Sequence, residues 1–175
     1  LCQETGLVPI VEPEVLMDGG HDIGHCEEVT TATLNSVFSE LHRHRVVLEG
    51  VLLKPNMVLS GKECPKQAGP REVAKATVRC LRGAVPAAVP GIVFLSGGQG
   101  PELATEHLNA MNALGEHPWE LSFSYGRALQ DLTLKAWRGE KANVPAAQKI
   151  FYHRAKCIGA ARYGKYSKQM EAAAA

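Results

Sequence analysis

Four short apolar runs, each closed by a polar or glycine-containing turn and each followed by a helical pattern, constrain this chain more than any other feature of its sequence. The runs are Leu7 to Val11, Val46 to Leu53, Gly91 to Leu95 and Glu120 to Phe123. After the first comes Glu27 to His42, with Val29, Leu34, Val37, Phe38 and Leu41 on one stripe. Arg71 to Val85 follows the second, with Ala74, Thr77, Val78, Leu81 and Val85 facing inward. Pro101 to Leu114 follows the third, and a helix running to about Arg138 follows the fourth. A last helix spans Ala146 to about Tyr163, after an Asn143-Val144-Pro145 start. Strict strand–helix alternation predicts an α/β fold with a parallel sheet and right-handed crossovers. Four strands are half of an eight-stranded barrel, and a complete (β/α)₈ barrel takes about 250 residues. A chain of 175 residues is therefore read as a half barrel with two open sheet edges, a dimer of halves or a product of truncation, and exposed edges favour association or aggregation.

The spacing predicts one partial barrel over residues 1–166 and a flexible tail over 167–175, where the patterning fades. Ser60 to Pro70 is a loop long enough to move over a site. The chain opens on Leu1, which suggests a fragment, an incomplete gene model or a processed form. Net charge is +1, from 19 basic and 18 acidic residues, so no broad field argues for nucleic acid or a membrane surface. Five cysteines, Cys2, Cys26, Cys64, Cys80 and Cys157, form no CxxC pair and fit reduced thiols inside a cell. No apolar run reaches the roughly 18 residues of a membrane span. A cytoplasmic protein is expected.

Chemistry-bearing residues collect where the strands end, which in barrels is the catalytic rim. Val51-Leu52-Leu53 runs into Lys54-Pro55-Asn56-Met57, a buried strand delivering one amine to that rim. A lysine of ordinary pKa is unprotonated in only about one molecule in 2,500 at pH 7, so a nucleophilic lysine needs an apolar or cationic setting. The first strand ends in Glu12-Pro13-Glu14, two carboxylates suited to moving protons beside that amine, or equally to forming ion pairs. Ser96-Gly97-Gly98 places small residues and free N–H groups at the third turn. Ser124-Tyr125-Gly126-Arg127 adds a second glycine turn and a guanidinium suited to phosphate. His21, His25 and Cys26 fall in one loop without further ligands at a recognised spacing, and no metal is expected. Trp119, Trp137, Tyr152, Tyr163 and Tyr166 read as packing aromatics.

Four of these segments together resemble class I fructose-bisphosphate aldolase: Val11-Glu12-Pro13-Glu14, Leu52-Leu53-Lys54-Pro55-Asn56-Met57, Phe94-Leu95-Ser96-Gly97-Gly98-Gln99 and Phe123-Ser124-Tyr125-Gly126-Arg127-Ala128-Leu129-Gln130. They match the second half of that family's sequence, in order and at nearly its spacing. The resemblance implies the C-terminal half of a TIM barrel and the reversible cleavage of fructose 1,6-bisphosphate to dihydroxyacetone phosphate and glyceraldehyde 3-phosphate, without a cofactor. It implies Lys54 as the Schiff-base lysine, Glu12 as general acid/base and Glu14 as a supporting carboxylate. It further implies Leu95, Ser96, Gly97, Ser124, Tyr125, Gly126 and Arg127 as the cradle of one substrate phosphate, and a family assembly that is usually a tetramer. The family also uses charged residues on earlier strands and a closing terminal tyrosine, none of which this sequence contains. The isolated chain is therefore expected to be nearly inactive in bisphosphate cleavage. A non-catalytic half barrel binding sugar phosphates or protein partners is the alternative expectation.

Overall fold

β1 and β2 are shorter than their apolar runs, because only the last residues before each polar turn find a parallel neighbour, whereas β3 and β4 pair along nearly all of theirs. The computed structural model describes residues 1–172. Its order is β1 (Ile10–Val11), α1 (Ile23–Arg43), β2 (Leu52–Leu53), α2 (Pro70–Ala84), β3 (Gly91–Phe94), α3 (Pro101–Asn112), β4 (Glu120–Phe123), α4 (Arg127–Trp137), α5 (Val144–Ala161) and α6 (Gln169–Ala172). The four strands form one parallel sheet in the order β1-β2-β3-β4, which is the α/β half-barrel arrangement that the alternation predicts. No described helix is long and apolar enough to cross a membrane.

Register is what brings the strand ends together. Val11 pairs with Leu53, Leu53 with Ile92, and Phe94 with Phe123. The ladder continues past the strands, with Lys54 N–H donating to Val11 O at 2.7 Å, Leu95 N–H to Pro55 O at 3.1 Å and Ser124 N–H to Phe94 O at 2.9 Å. The segments after Val11, Leu53, Phe94 and Phe123 thus emerge side by side.

Beneath them lies the core. Leu53, Ile92, Phe94 and Leu121 are buried with Leu34, Val73, Leu81, Leu108, Met111 and Ile158. Truncating any such leucine to alanine costs about 2 to 5 kcal/mol. The helix starts follow their sequences. Asp22 caps α1 by accepting from His25 N–H at 2.8 Å. Pro70 and Pro101 open α2 and α3, each followed by a glutamate in the first turn.

Two elements depart from expectation. The run from Val46 does not extend a strand to Leu53, because Gln3 takes the place of a neighbouring strand there. Its amide donates to Val47 O at 2.8 Å and accepts from Val47 N–H at 3.1 Å, and Leu48–Gly50 closes into a 3₁₀ turn. On α1 the inward stripe runs through Cys26, Thr30 and Leu34, leaving Val29 exposed. Thr30 is inside because its hydroxyl accepts from the buried Asn56 amide at 3.2 Å.

The tail was expected from residue 167 onward. Its residues 173–175 lie outside the described residues. Within the rest, Glu171 of α6 accepts two bonds from the Arg154 guanidinium, at 2.7 and 2.8 Å, and one from Tyr166 OH at 2.8 Å. Burial alone would raise the Glu171 carboxyl, but these bonds outweigh it and hold it below the ordinary range. An electrostatic anchor of this kind leaves no hydrophobic period in the sequence.

Candidate active site

Strand alternation decides where Lys54 goes. Leu53 is sunk in the core, so the next side chain leaves on the opposite face. There Lys54 Nζ lies 2.9 Å from Glu12 Oε1, with the lysine side chain 20% and the glutamate side chain 47% exposed. The contact joins the end of β1 to the end of β2.

Both sides of this pair are braced. After Lys54, the Val58 N–H donates to the buried Thr77 hydroxyl of α2 at 3.0 Å. After Glu12, the Val15 N–H donates to Asn56 Oδ1 at 2.9 Å, while the Asn56 amide donates to Thr30 and to Met57 O. Asn56 therefore ties the two strand ends to α1. Glu14 is exposed and makes no ion pair or side-chain hydrogen bond among the described residues.

The third strand end is a tight turn. Gly97 and Gly98 have φ of +58° and +82°, a region that costs any other residue strain. Gln99 N–H closes the turn onto Ser96 O at 3.0 Å. The Gln99 side chain adds a second bond to Ser96 O at 3.0 Å and meets His107 Nδ1 at 2.6 Å. Leu95 and Ser96 are buried beside it.

From the fourth strand end, Ser124 is half-buried and Gly126 exposed. Tyr125 turns inward: its hydroxyl donates to Ala104 O at 3.0 Å, and burial pushes its pKa well up. Only its main chain remains for a ligand. Arg127 is exposed and makes no ion pair among the described residues. A Cβ built on Gly98 would stand 3.8 Å from the Arg127 guanidinium, so this cation borders the Ser96-Gly98 turn.

The same point lies 3.4 Å from Lys62 Nζ. Lys62 was not visible from the sequence, since it belongs to a loop without motif. That loop is pinned where mobility was expected. Gly61, Lys62 and Glu63 donate their N–H groups to His21, Met17 and Gly19 at 2.9, 2.7 and 3.0 Å, and Gln67 holds Gly61 O and Cys64 O.

Of the three residues weighed as metal ligands, Cys26 is buried and accepts from Leu59 N–H, while the His21 and His25 rings stand 6.2 Å apart. Among the described residues the one group with convergent ligand atoms is His153, Cys157 and Glu171. There the carboxylate already holds Arg154, and burial followed by Glu171 itself pushes the Cys157 thiol up. A groove of about 530 Å³ lined by Leu132, Ile150, His153 and Glu171 runs along α5 and contains none of the strand-end residues. The candidate site is drawn from converging charge at the rim and not from cavity volume.

All of residues 1–175 match the family described as glycolytic class-I fructose-bisphosphate aldolase. Over 167 residues, 95% of the chain, it is 56% identical to fructose-bisphosphate aldolase of Dictyostelium discoideum, covering 47% of that protein. It is 59% identical to a probable class 1 fructose-bisphosphate aldolase of Xanthomonas campestris, covering 50%, and 56% identical to the cytosolic fructose-bisphosphate aldolase 4 of Arabidopsis thaliana, covering 42%. The solved structure of the Plasmodium falciparum aldolase, in complex with TRAP and a small-molecule inhibitor, superposes with a TM-score of 0.93 at 53% identity, over 95% of this chain and 48% of that one. The chain spans about half the length of the relatives it matches.

Proposed function

Because the chain belongs to the class I fructose-bisphosphate aldolase family, we propose that it carries the imine-forming part of a site that cleaves fructose 1,6-bisphosphate reversibly to dihydroxyacetone phosphate and glyceraldehyde 3-phosphate. The observation that carries this reading is the 2.9 Å contact between Lys54 Nζ and Glu12 Oε1 at adjacent strand ends. An amine and a carboxylate at that distance are the two groups that imine chemistry needs, a nucleophile and a proton carrier.

Glu12 takes a proton from the Lys54 ammonium, the freed lone pair attacks the ketone carbon, and Glu12 relays the surplus proton of the attacking nitrogen to the carbonyl oxygen. The resulting carbinolamine loses its hydroxyl as water when Glu12 returns a proton to it, leaving a protonated imine. Glu12, now a carboxylate again, takes the proton of the hydroxyl beyond the scissile bond; that carbon becomes the departing aldehyde as the carbon–carbon electron pair flows into the imine and gives an enamine. Every step returns its proton through one carboxylate.

The phosphate of the ketone fits the turn of Leu95, Ser96 and Gly97, with Ser124, Gly126 and Arg127 opposite and the main chain of Tyr125 between them. Anchoring one end of the substrate there fixes the carbonyl against Lys54 and converts an encounter into an intramolecular reaction. Glu14, on the same segment as Glu12, acts as a supporting carboxylate. The reading includes a cytoplasmic location and a homo-oligomeric assembly.

Timed quenching with borohydride tests it. Adduct formation between the chain and dihydroxyacetone phosphate is expected to slow by about 10²- to 10⁴-fold in Glu12→Gln. A rate equal to that of the unaltered chain would remove Glu12 from proton transfer.

A further inference from the structure

We propose that Lys62 is a second cationic ligand for the substrate phosphate, and that Asp18 is its exchangeable counter-ion when the phosphate is absent. This rests on the phosphate reading of the Ser96-Gly98 turn and adds to it a residue from a different loop.

The geometry is set by main chain. Three N–H groups in a row, from Gly61, Lys62 and Glu63, are bonded to the 17–21 segment, so the stem of Lys62 is fixed while its end remains half-exposed. From there the side chain reaches the glycine turn. A Cβ on Gly98 would lie 3.4 Å from Lys62 Nζ, 3.6 Å from its Cε and 3.8 Å from Arg127 Nη2. An ammonium and a guanidinium therefore both border one exposed glycine.

Charge accounting explains why both are needed. A phosphate ester carries about −1.5 to −2 at pH 7. Arg127 supplies one positive charge as a planar fork, and Lys62 supplies the other as a point charge. Without an anion, two cations this close repel each other, and Asp18 Oδ1, 3.1 Å from Lys62 Nζ, offsets that repulsion. When phosphate binds, the Asp18 carboxylate becomes a like charge beside it. Lys62 helps the anion and Asp18 hinders it.

This makes the proposal separable from an ordinary loop staple. If the Lys62–Asp18 pair only held the loop, loss of either partner would weaken phosphate binding in the same direction. As ligand and counter-ion, they give opposite signs.

The test titrates inorganic phosphate against the chain by phosphorus NMR at low ionic strength, in a Lys54→Met background so that imine chemistry plays no part. Lys62→Met is expected to weaken binding about fivefold, Asp18→Asn to tighten it about fivefold, and Lys62→Arg to retain it. Equal affinities, or two losses, overturn the proposal. Borohydride trapping on chains that keep Lys54 reports separately on the catalytic reading, so an anion site without a reactive lysine is distinguishable from no anion site.

Discussion

At the scale of single residues, the glycine turn is held in shape by a histidine that must stay neutral. The Gln99 amide nitrogen donates to Ser96 O and meets Met57 Sδ, so its oxygen has to accept from His107 Nδ1. A protonated imidazole would put a charge where the residue is 2% exposed, and burial lowers the His107 pKa from 6.5 to about 4. The unfolded chain takes up this proton below about pH 6.5, whereas the folded chain resists until about pH 4. The stabilisation is complete above pH 6.5 and lost as pH falls toward 4, by at most about 3 kcal/mol. Urea unfolding at pH 7 and pH 4.5 is expected to show a smaller acid loss in His107→Gln than in the unaltered chain. Equal losses would contradict this role for His107.

At the scale of elements, the pinned loop between β2 and α2 depends on Gly61 in a way unrelated to backbone torsion. A Cβ there would lie 2.2 Å from Gly19 O, a main-chain atom that cannot swing aside. Gly61→Ala is expected to break the bonds of Lys62 and Glu63 to the 17–21 segment, to cost about 1 to 3 kcal/mol and to speed amide exchange at both residues. Gly159→Ala is the control, since nothing lies within 4 Å of its Cβ and alanine favours the helix. Unchanged exchange in Gly61→Ala would show that the loop is held elsewhere.

Such loops mark the limit of what the sequence discloses. β3 and β4 were legible nearly to the residue because Pro90 and the polar turns at Ser96 and Ser124 bound them. β2 was not, since Val46 to Gly50 carries the same apolar pattern and only Gln3, 44 residues away, diverts it. Lys54 and Glu12 could be placed at neighbouring strand ends from strand order alone. Lys62 and Asp18 could not, because a contact between two surface loops leaves no period and no motif.

At the scale of the whole molecule, the parallel sheet is open on both sides. β1 and β4 are its edges, and Leu7, Val8, Ile10 and Leu16 around β1 are more than half exposed. The family match covers the entire chain, but the chain covers only about half of each relative. In the proposed reading, four strands suffice to assemble an amine, its proton carrier and one phosphate cradle. The remaining electrostatic complementarity of a complete aldolase site then has to come from outside these residues, and its loss costs several kcal/mol of transition-state stabilisation.

In the proposed reading, this much structure makes Lys54 a nucleophile for a phosphorylated ketone. The most direct measurement incubates the folded chain with dihydroxyacetone phosphate, reduces with borohydride and maps the added mass by peptide. Modification is expected to be confined to Lys54 among all the lysines of the chain. A folded chain with no modification, or with label spread over exposed lysines such as Lys66 and Lys168, would contradict it.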